Sequence, residues 1–229
     1  MGNKEWSDRL LLRFDPLFKH RWTIYKTVLN NLLSESSIWI DCGCGNNEMV
    51  ETFRKSSKFA LGLDIVDNTA CRNFLKADIK NLPLKASSVN LITLRFVVEH
   101  FDNKFDYFDE IGRVLQYNGV VLILTTNLYS PIIFLPKILL PKRLKEQIIS
   151  LIFKVQEEDI FPAYHNYNTL KKFEGINGFK VKEVLFLSDL NYTRKIIFLL
   201  LFIWHMITKI KGLKYFRSNL LIVLEKSFK

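Results

Sequence analysis

The run Ile38-Trp39-Ile40-Asp41-Cys42-Gly43-Cys44-Gly45-Asn46-Asn47-Glu48 holds the residues best spaced for chemistry. An apolar stretch ends on an acidic residue, and glycines follow two and four positions later. Helix-compatible residues come next. That order describes a strand that stops, turns tightly and feeds a helix whose N-terminus faces a ligand. Glycine serves where torsions are unusual or a ligand must come close. Taken alone, the pattern also fits a plain strand–helix turn.

Three further features follow in order. Asp64 closes a second apolar run, 23 residues after Asp41, where a carboxylate can accept from ribose hydroxyls. Ala77-Asp78-Ile79 follows a third run and precedes Leu82-Pro83-Leu84. Val97-Val98-Glu99-His100-Phe101 follows a fourth, and Glu110-Ile111-x-Arg113-Val114-Leu115-x-x-x-Gly119 comes after it. A dehydrogenase would want G-x-G-x-x-G, and Asn46-Asn47-Glu48 does not supply the last glycine. A P-loop is excluded because no Gly-Lys-Ser/Thr follows.

The elements that must position these residues are legible in the periodicity. Strands are expected over 37–42, 59–65, 73–77, 88–96 and 120–126, with helices over 18–33, 47–55 and 104–116. Asn118-Gly119 is expected to end the last of these helices. After Asn127 the character changes. Pro131, Pro136 and Pro141 punctuate an apolar stretch, then a helix over 142–154 and a polar, aromatic segment over 159–168 are expected. A helix over 169–176, stopped by Asn177-Gly178, and strands over 179–187 and 219–225 complete the chain. Strands alternating with helices give an α/β fold class with a mainly parallel sheet of seven strands. A single domain is expected over 1–229. It divides into an N-terminal helical cap (1–35), a cofactor-binding half (36–127), a lid or substrate insertion (128–178), and final strands with an apolar, basic helix (179–229).

Hydrophobic residues make up 48% of the 229, which argues against disorder. The net charge of +10 is unevenly placed. Residues 1–129 carry 16 Lys+Arg and 15 Asp+Glu, whereas 130–229 carry 17 and 8. The basic, apolar C-terminal part suits an anionic membrane surface, nucleic acid, an acidic substrate or simply solvent. Cys42, Cys44 and Cys71 have no paired spacing, so no metal is expected. Free thiols suit a cytoplasmic location. Residues 1–12 carry charges throughout and no apolar core, so no secretory leader is expected. The run 196–207 is too short for a span, which needs about 20 apolar residues. It reads as a buried helix or as an interfacial helix anchored by Arg194, Lys195, Lys209, Lys211 and Lys214, with burial favoured. An interfacial helix would make the protein peripheral at the membrane.

As an ordered set, D-x-G-C-G, A-D, L-P, E-H and E-I-x-R-V-L-x-x-x-G resembles the class I, Rossmann-like methyltransferases that use S-adenosylmethionine, in particular the type 11 group. The resemblance covers about residues 36–127, and more faintly 159–187. It implies a Rossmann-like, mainly parallel seven-stranded sheet with helices on both faces and an antiparallel last strand. It implies S-adenosyl-L-methionine as cofactor, with Asp41 and the Gly43, Cys44 and Gly45 backbone beside its methionine moiety. Asp64 would hold the ribose hydroxyls with Ile65 near the adenine. Asp78 would accept from the adenine amino group, with Ile79 beside the ring. Arg95 and Val97 would line the pocket. Many members carry a third glycine where Asn47 stands, which could weaken cofactor binding. Asn tolerates left-handed torsions better than most residues.

Methyl transfer from a sulfonium needs an aligned nucleophile and little water. A hydroxyl acceptor also benefits from a general base. His100, Glu99 and His165 are the candidates, with Glu99 as base or orienting residue. His100 reads also as a helix-cap residue, and the aromatics around His165 as a lid or substrate wall. The function implied is methylation, as an O-methylation, of a small-molecule, lipid-linked or glycan acceptor. A non-catalytic scaffold of the same fold and an RNA methyltransferase are the alternatives. No N-P-P-Y-type segment follows the fourth strand, so nucleic acid is disfavoured as a partner.

Overall fold

The computed structural model describes residues 3–67, 71–101, 104–139, 141, 144, 168–190 and 194–227. Two helices, α1 (Asn3–Phe14) and α2 (Arg21–Leu32), precede strand β1 (Ile38–Cys42). Then come α3 (Glu48–Phe53), β2 (Phe59–Asp64), β3 (Phe74–Lys76), β4 (Val89–Arg95), α4 (Lys104–Val114) and β5 (Leu115–Thr126). The remainder contributes α5 (Pro131–Leu139), α6 (Leu170–Glu174), β6 (Phe179–Leu187), α7 (Lys195–Ile207) and β7 (Asn219–Lys226). The expected helix over 142–154 and the segment carrying His165 lie outside the described residues.

The strands form one sheet in the order β3-β2-β1-β4-β5-β7-β6. Parallel pairs join β3 to β2, β2 to β1, β1 to β4 and β4 to β5. Strand β7 runs antiparallel between β5 and β6. The seven-stranded, Rossmann-like sheet with an antiparallel last strand is thus as expected. Burial on both faces explains why the central strands read as continuous apolar runs. One face packs Ile40, Leu63, Ile92 and Ile123 against Phe108, Ile111 and Phe173. The other packs Trp39, Leu91, Leu122 and Leu124 against Tyr25 and Leu29 of α2 and Val50 of α3. Beyond the third strand, Arg113 and Glu110 act as a clamp. Arg113 meets Glu110 through Nε and Nη2, each at 2.7 Å, and donates to the Leu82 and Leu84 carbonyls at 3.0 Å. Glu110 also accepts the Leu82 N–H at 2.7 Å. The L-P and E-x-x-R motifs are two halves of one structural contact.

Two expectations need correction. Asn118-Gly119 does not cap α4, which stops at Val114. Leu115 pairs with Val89 and Val120 with Leu91, so residues 116–119 bulge from β5 opposite Asn90 alone. Asn118 supplies the left-handed torsion of that bulge, at φ 58°. Gly119 has no room for a Cβ, which would lie 2.8 Å from the Gln116 carbonyl. The turn chemistry was right, but it serves a bulge inside a strand. The second concerns the apolar run 196–207, for which burial was favoured. Phe198, Phe202 and His205 of α7 are buried, but Ile196, Leu200 and Ile203 are exposed. One side alone finds a partner, because α7 packs on α1 in a small cluster around Leu11 and Leu190 instead of on the sheet. No described helix is long and apolar enough to cross a membrane.

A polar knot closes that cluster. His205 Nε2 meets Asp15 Oδ2 at 2.8 Å, and its Nδ1 meets Ser188 Oγ at 2.8 Å. Lys209 Nζ reaches the other Asp15 oxygen at 2.8 Å. Burial pushes the His205 imidazole below its ordinary range, more strongly than Asp15 raises it. A neutral ring fits both bonds: Nε2–H donates to Asp15, and Nδ1 accepts from the Ser188 hydroxyl. An unfolded chain takes up this proton near the ordinary value of 6.5, the folded chain only at lower pH. Stability is therefore full above about pH 6.5 and declines as pH falls toward the folded value. The thermal midpoint should drop across that window in the wild type and less in His205→Gln. Equal slopes in the two melting series would remove His205 as the cause.

Candidate active site

Strand order reverses at β1, whose neighbours β2 and β4 lead away in opposite directions. Open α/β sheets bind ligands in the crevice at the carboxyl ends beside such a switch point. Asp41, the Gly43–Gly45 turn, Asp64 and Arg95 all lie at those ends.

The turn after β1 contains three left-handed residues, Gly43 (φ 71°), Gly45 (φ 56°) and Asn47 (φ 60°). Gly43 and Cys44 both donate to the Leu63 carbonyl, at 2.7 and 3.1 Å, so the turn is laced to β2. A Cβ on Gly43 would lie 2.2 Å from Val97 Cγ2. A Cβ on Gly45 would meet nothing within 4 Å, so that backbone faces open space. The Gly45 N–H donates to Asp64 Oδ2 at 2.9 Å, and Val66 N–H holds Asp64 Oδ1 at 3.0 Å. These bonds use two of the four acceptor positions of the carboxylate and leave the rest for a diol. Ile65 and Val66 follow it, 67% and 69% exposed, as an apolar platform.

Asn47 turns away from the cleft. Its amide donates to the Arg72 and Asn73 carbonyls at 2.8 and 3.2 Å. Its Oδ1 occupies the space above Gly62, where a Cβ would come within 1.9 Å. The side chain that replaces the third glycine is therefore packed beneath the turn, and Gly62 makes room for it.

Asp41 is fully buried. Thr93 Oγ1 donates to its Oδ1 at 2.5 Å, and Trp39 Nε1 donates to Thr93 at 3.0 Å. Arg95 Nη2 pairs with Asp41 Oδ2 at 3.0 Å. Burial would weaken the Arg95 cation, but the Asp41 carboxylate overrides this and holds it charged. The buried Nε of Arg95 has no hydrogen-bond partner among the described residues. Tyr25 reaches this cluster from α2, and burial, with Asp41 adding, pushes its phenol well above its usual range. Burial likewise pushes the Cys44 thiol up to about 12, with Asp41 and Asp64 adding to it. The Cys44 thiol therefore stays protonated and is a poor nucleophile.

The residue after Arg95, Phe96, is held at φ 54°, an outlier for a bulky side chain. Its ring lies edge-on to Trp22 at 5.9 Å and beneath the Arg21 guanidinium at 5.1 Å. Asp78 Oδ1 accepts the Lys80 N–H at 2.9 Å, and Ile79 beside it is buried.

Glu99 points inward. Its Oε1 accepts from Thr125 Oγ1 at 2.7 Å and from the Thr126 N–H at 2.9 Å, while its buried Oε2 has no partner among the described residues. Burial raises its pKa against those bonds. Asn168 Nδ2 donates to the same Thr125 hydroxyl at 2.7 Å, so Glu99 and Asn168 together fix the carboxyl end of β5. His100 is exposed beside it. The structure thus gathers Asp41, Gly43, Gly45, Asp64, Arg95 and Val97, seats Asp78 and Ile79 after β3, and turns Glu99 into the core. Sequence reasoning missed Tyr25, Thr93 and Thr125, because no local motif marks a hydroxyl whose charged neighbour belongs to another element.

Residues 40–123 match the family described as Methyltransferase domain. An uncharacterized protein of Methanocaldococcus jannaschii is 23% identical over 135 residues, 57% of this chain and 54% of the relative. A ubiquinone/menaquinone biosynthesis C-methyltransferase of Campylobacter jejuni is 26% identical over 99 residues, 37% of this chain and 42% of that protein. The chain thus spans about half the length of the curated relatives it matches. Among solved structures, geranyl diphosphate C-methyltransferase from Streptomyces coelicolor, in complex with Mg2+, geranyl diphosphate and S-adenosyl-L-homocysteine, superposes with a TM-score of 0.57. It does so at 15% identity, covering 89% of this chain and 78% of that one. Residues 40–123 thus carry the match to a methyltransferase domain, and the sheet has the Rossmann-like fold of solved methyltransferases that use S-adenosylmethionine. The cradle fits that cofactor in an open Gly45 backbone, an Asp64 carboxylate with acceptor positions to spare and an apolar platform at Ile65.

The two glycines predict different failures. Gly43→Ala should cost about 2–4 kcal/mol, combining left-handed strain with overpacking against Val97. Gly45→Ala should cost only about 1–2 kcal/mol of strain yet weaken cofactor binding by filling the cleft. Urea unfolding and calorimetry separate the two effects. Equal destabilisation by both variants would contradict the contrast.

Proposed function

We propose that this chain transfers the methyl group of S-adenosylmethionine to a small, lipid-linked acceptor, at a hydroxyl oxygen. The observation that carries the reading is the Gly45 N–H bond to Asp64, which locks the glycine turn to the end of β2 beside an exposed apolar platform. In this reading Asp64 holds the ribose hydroxyls, and Ile65 and Ile79 flank the adenine. Asp78 accepts from the adenine amino group. The Gly43–Gly45 backbone lies along the methionine moiety, and Arg95, already charged beside Asp41, offers its remaining donors to the methionine carboxylate. The bound cofactor supplies an electrophilic methyl group, so the protein's task is alignment and water exclusion.

His100 is the general base of the proposal, because its exposed ring can take the proton of a hydroxyl acceptor. Glu99 is a positioning residue in it, holding Thr125 and Thr126 at the end of β5. His165 is retained as a second base candidate on sequence grounds alone. Support for a lipid-linked acceptor comes from the apolar, basic C-terminal part. The structural neighbour that binds geranyl diphosphate adds to it. The names of the two characterised relatives carry carbon as acceptor atom, so the hydroxyl assignment rests on His100.

Calorimetry should give one S-adenosylmethionine site per chain, and Asp64→Ala should weaken it about tenfold or more, the loss of charge-assisted bonds, while the variant keeps a single cooperative unfolding transition. A wild type that releases no heat would point to a scaffold that kept the fold. Lysate incubated with 13C-methyl-labelled cofactor should deliver label to the lipid pool. The methyl carbon shift then reads oxygen or carbon directly, and label confined to RNA would overturn the acceptor class.

A further inference from the structure

Helix α7 is apolar around its circumference, and the protein uses only one side of it. Phe198, Phe202 and His205 face inward. At 3.6 residues per turn, Ile196, Leu199, Leu200, Ile203 and Ile207 share an arc of about 100° on the opposite side. All five are exposed, Ile196 by 75% and Leu200 by 64%. A helix apolar on both sides calls for a second apolar neighbour.

Helix α1 extends the same surface. Its Phe14 ring meets Phe202 at 6.2 Å, and its Trp6 ring meets Phe198 at 5.8 Å, so the two helices lie side by side. Leu12 and Phe14 at its end are exposed, as is Leu17 just beyond. Past α7, Ile210, Tyr215 and Phe216 are exposed as well. Exposed apolar side chains gathered along one helix face mark an interaction surface.

The charges around it name the partner. Between Asp189 and Glu225 the chain carries six Lys and Arg residues and no carboxylate. Lys195 stands at the start of α7, and Lys209, Lys211 and Lys214 follow its end, all exposed. An apolar stripe between two cationic ends matches a lipid interface, where long basic side chains bury their stems and reach phosphate with their heads. The 13 residues of α7 span about 20 Å, too little to cross a bilayer but suited to lying along it. A second copy of the chain fits poorly, because a twofold contact brings like-charged ends together.

We propose that the outer face of α7, with the end of α1, docks on an anionic phospholipid bilayer. The proposal deepens the lipid-linked reading of the acceptor but does not depend on the cofactor site. Sedimentation with phosphatidylglycerol/phosphatidylcholine vesicles tests it on the protein without methyl donor. The protein should pellet at low salt, and at high salt or with phosphatidylcholine alone binding should weaken about tenfold or more. Leu200→Glu/Ile203→Glu should abolish pelleting while thermal midpoint and donor binding stay unchanged. Lys211→Glu/Lys214→Glu should remove the preference for anionic lipid. Three results would overturn the proposal: no pelleting at low salt, equal pelleting by wild type and the Glu variants, or a dimer that Leu200→Glu/Ile203→Glu dissociates. Vesicle binding without donor binding would sink the methyl-transfer reading alone, and donor binding without vesicle binding this one alone.

Discussion

Asn47 keeps its backbone left-handed while its side chain fills the space above Gly62 and ties down two carbonyls of the β2–β3 connection. The turn from β1 into α3 can then pass directly over β2. That closeness lets the Gly45 N–H reach Asp64, and it brings Gly43 against Val97 from the far side of β1. Three strands are thereby fixed relative to one another through a turn of a few residues. A glycine at position 47 would allow the torsion but leave the space beneath empty, and Gly62 would lose its reason.

Charge is handled differently on the two sides of this turn. Asp41 and Arg95 form a buried pair supported by Thr93 and Trp39. Such pairs cost desolvation and return it only with good geometry and further bonds. Here the further bonds exist, and the arginine remains a cation beside the crevice. Glu99 has no ion pair among the described residues, and burial shifts it toward the neutral form. It serves as an anchor for the β5 end, where Thr125 and Asn168 converge. Two carboxylates within one motif series thus do unlike jobs, set by what lies opposite each.

Much of this was legible in the residue order. The strands at 38–42, 59–64 and 89–95 fall within a residue or so of the apolar runs that announced them, because strands buried on both faces show as continuous hydrophobic stretches. The acidic residues at the ends of β1 and β2 were legible for the same reason, since a strand end marks the crevice. What was hidden depends on distance in sequence. Tyr25 and Thr93 join Asp41 from elements outside the motif, and no spacing rule connects them. The bulge at 116–119 was hidden because the same Asn-Gly signal closes helices and loops out of strands. The two-sided character of α7 was hidden because a uniformly apolar helix has no periodicity to show which face is inside.

Strand β7 lies between β5 and β6, although it follows both in the chain. A polypeptide emerging from the ribosome therefore presents β5 and β6 with no strand to pair between them until Asn219–Lys226 has been made. Two unpaired edges, one of them bordered by the buried run Val121–Leu124, must wait through the synthesis of α7. Open edges of that kind recruit other chains. The insertion of β7 thus closes the gap between β5 and β6 and leaves β3 and β6 at the margins of the sheet. A ribosome stalled before residue 219 would hold a sheet whose cofactor end is complete and whose far end is still open.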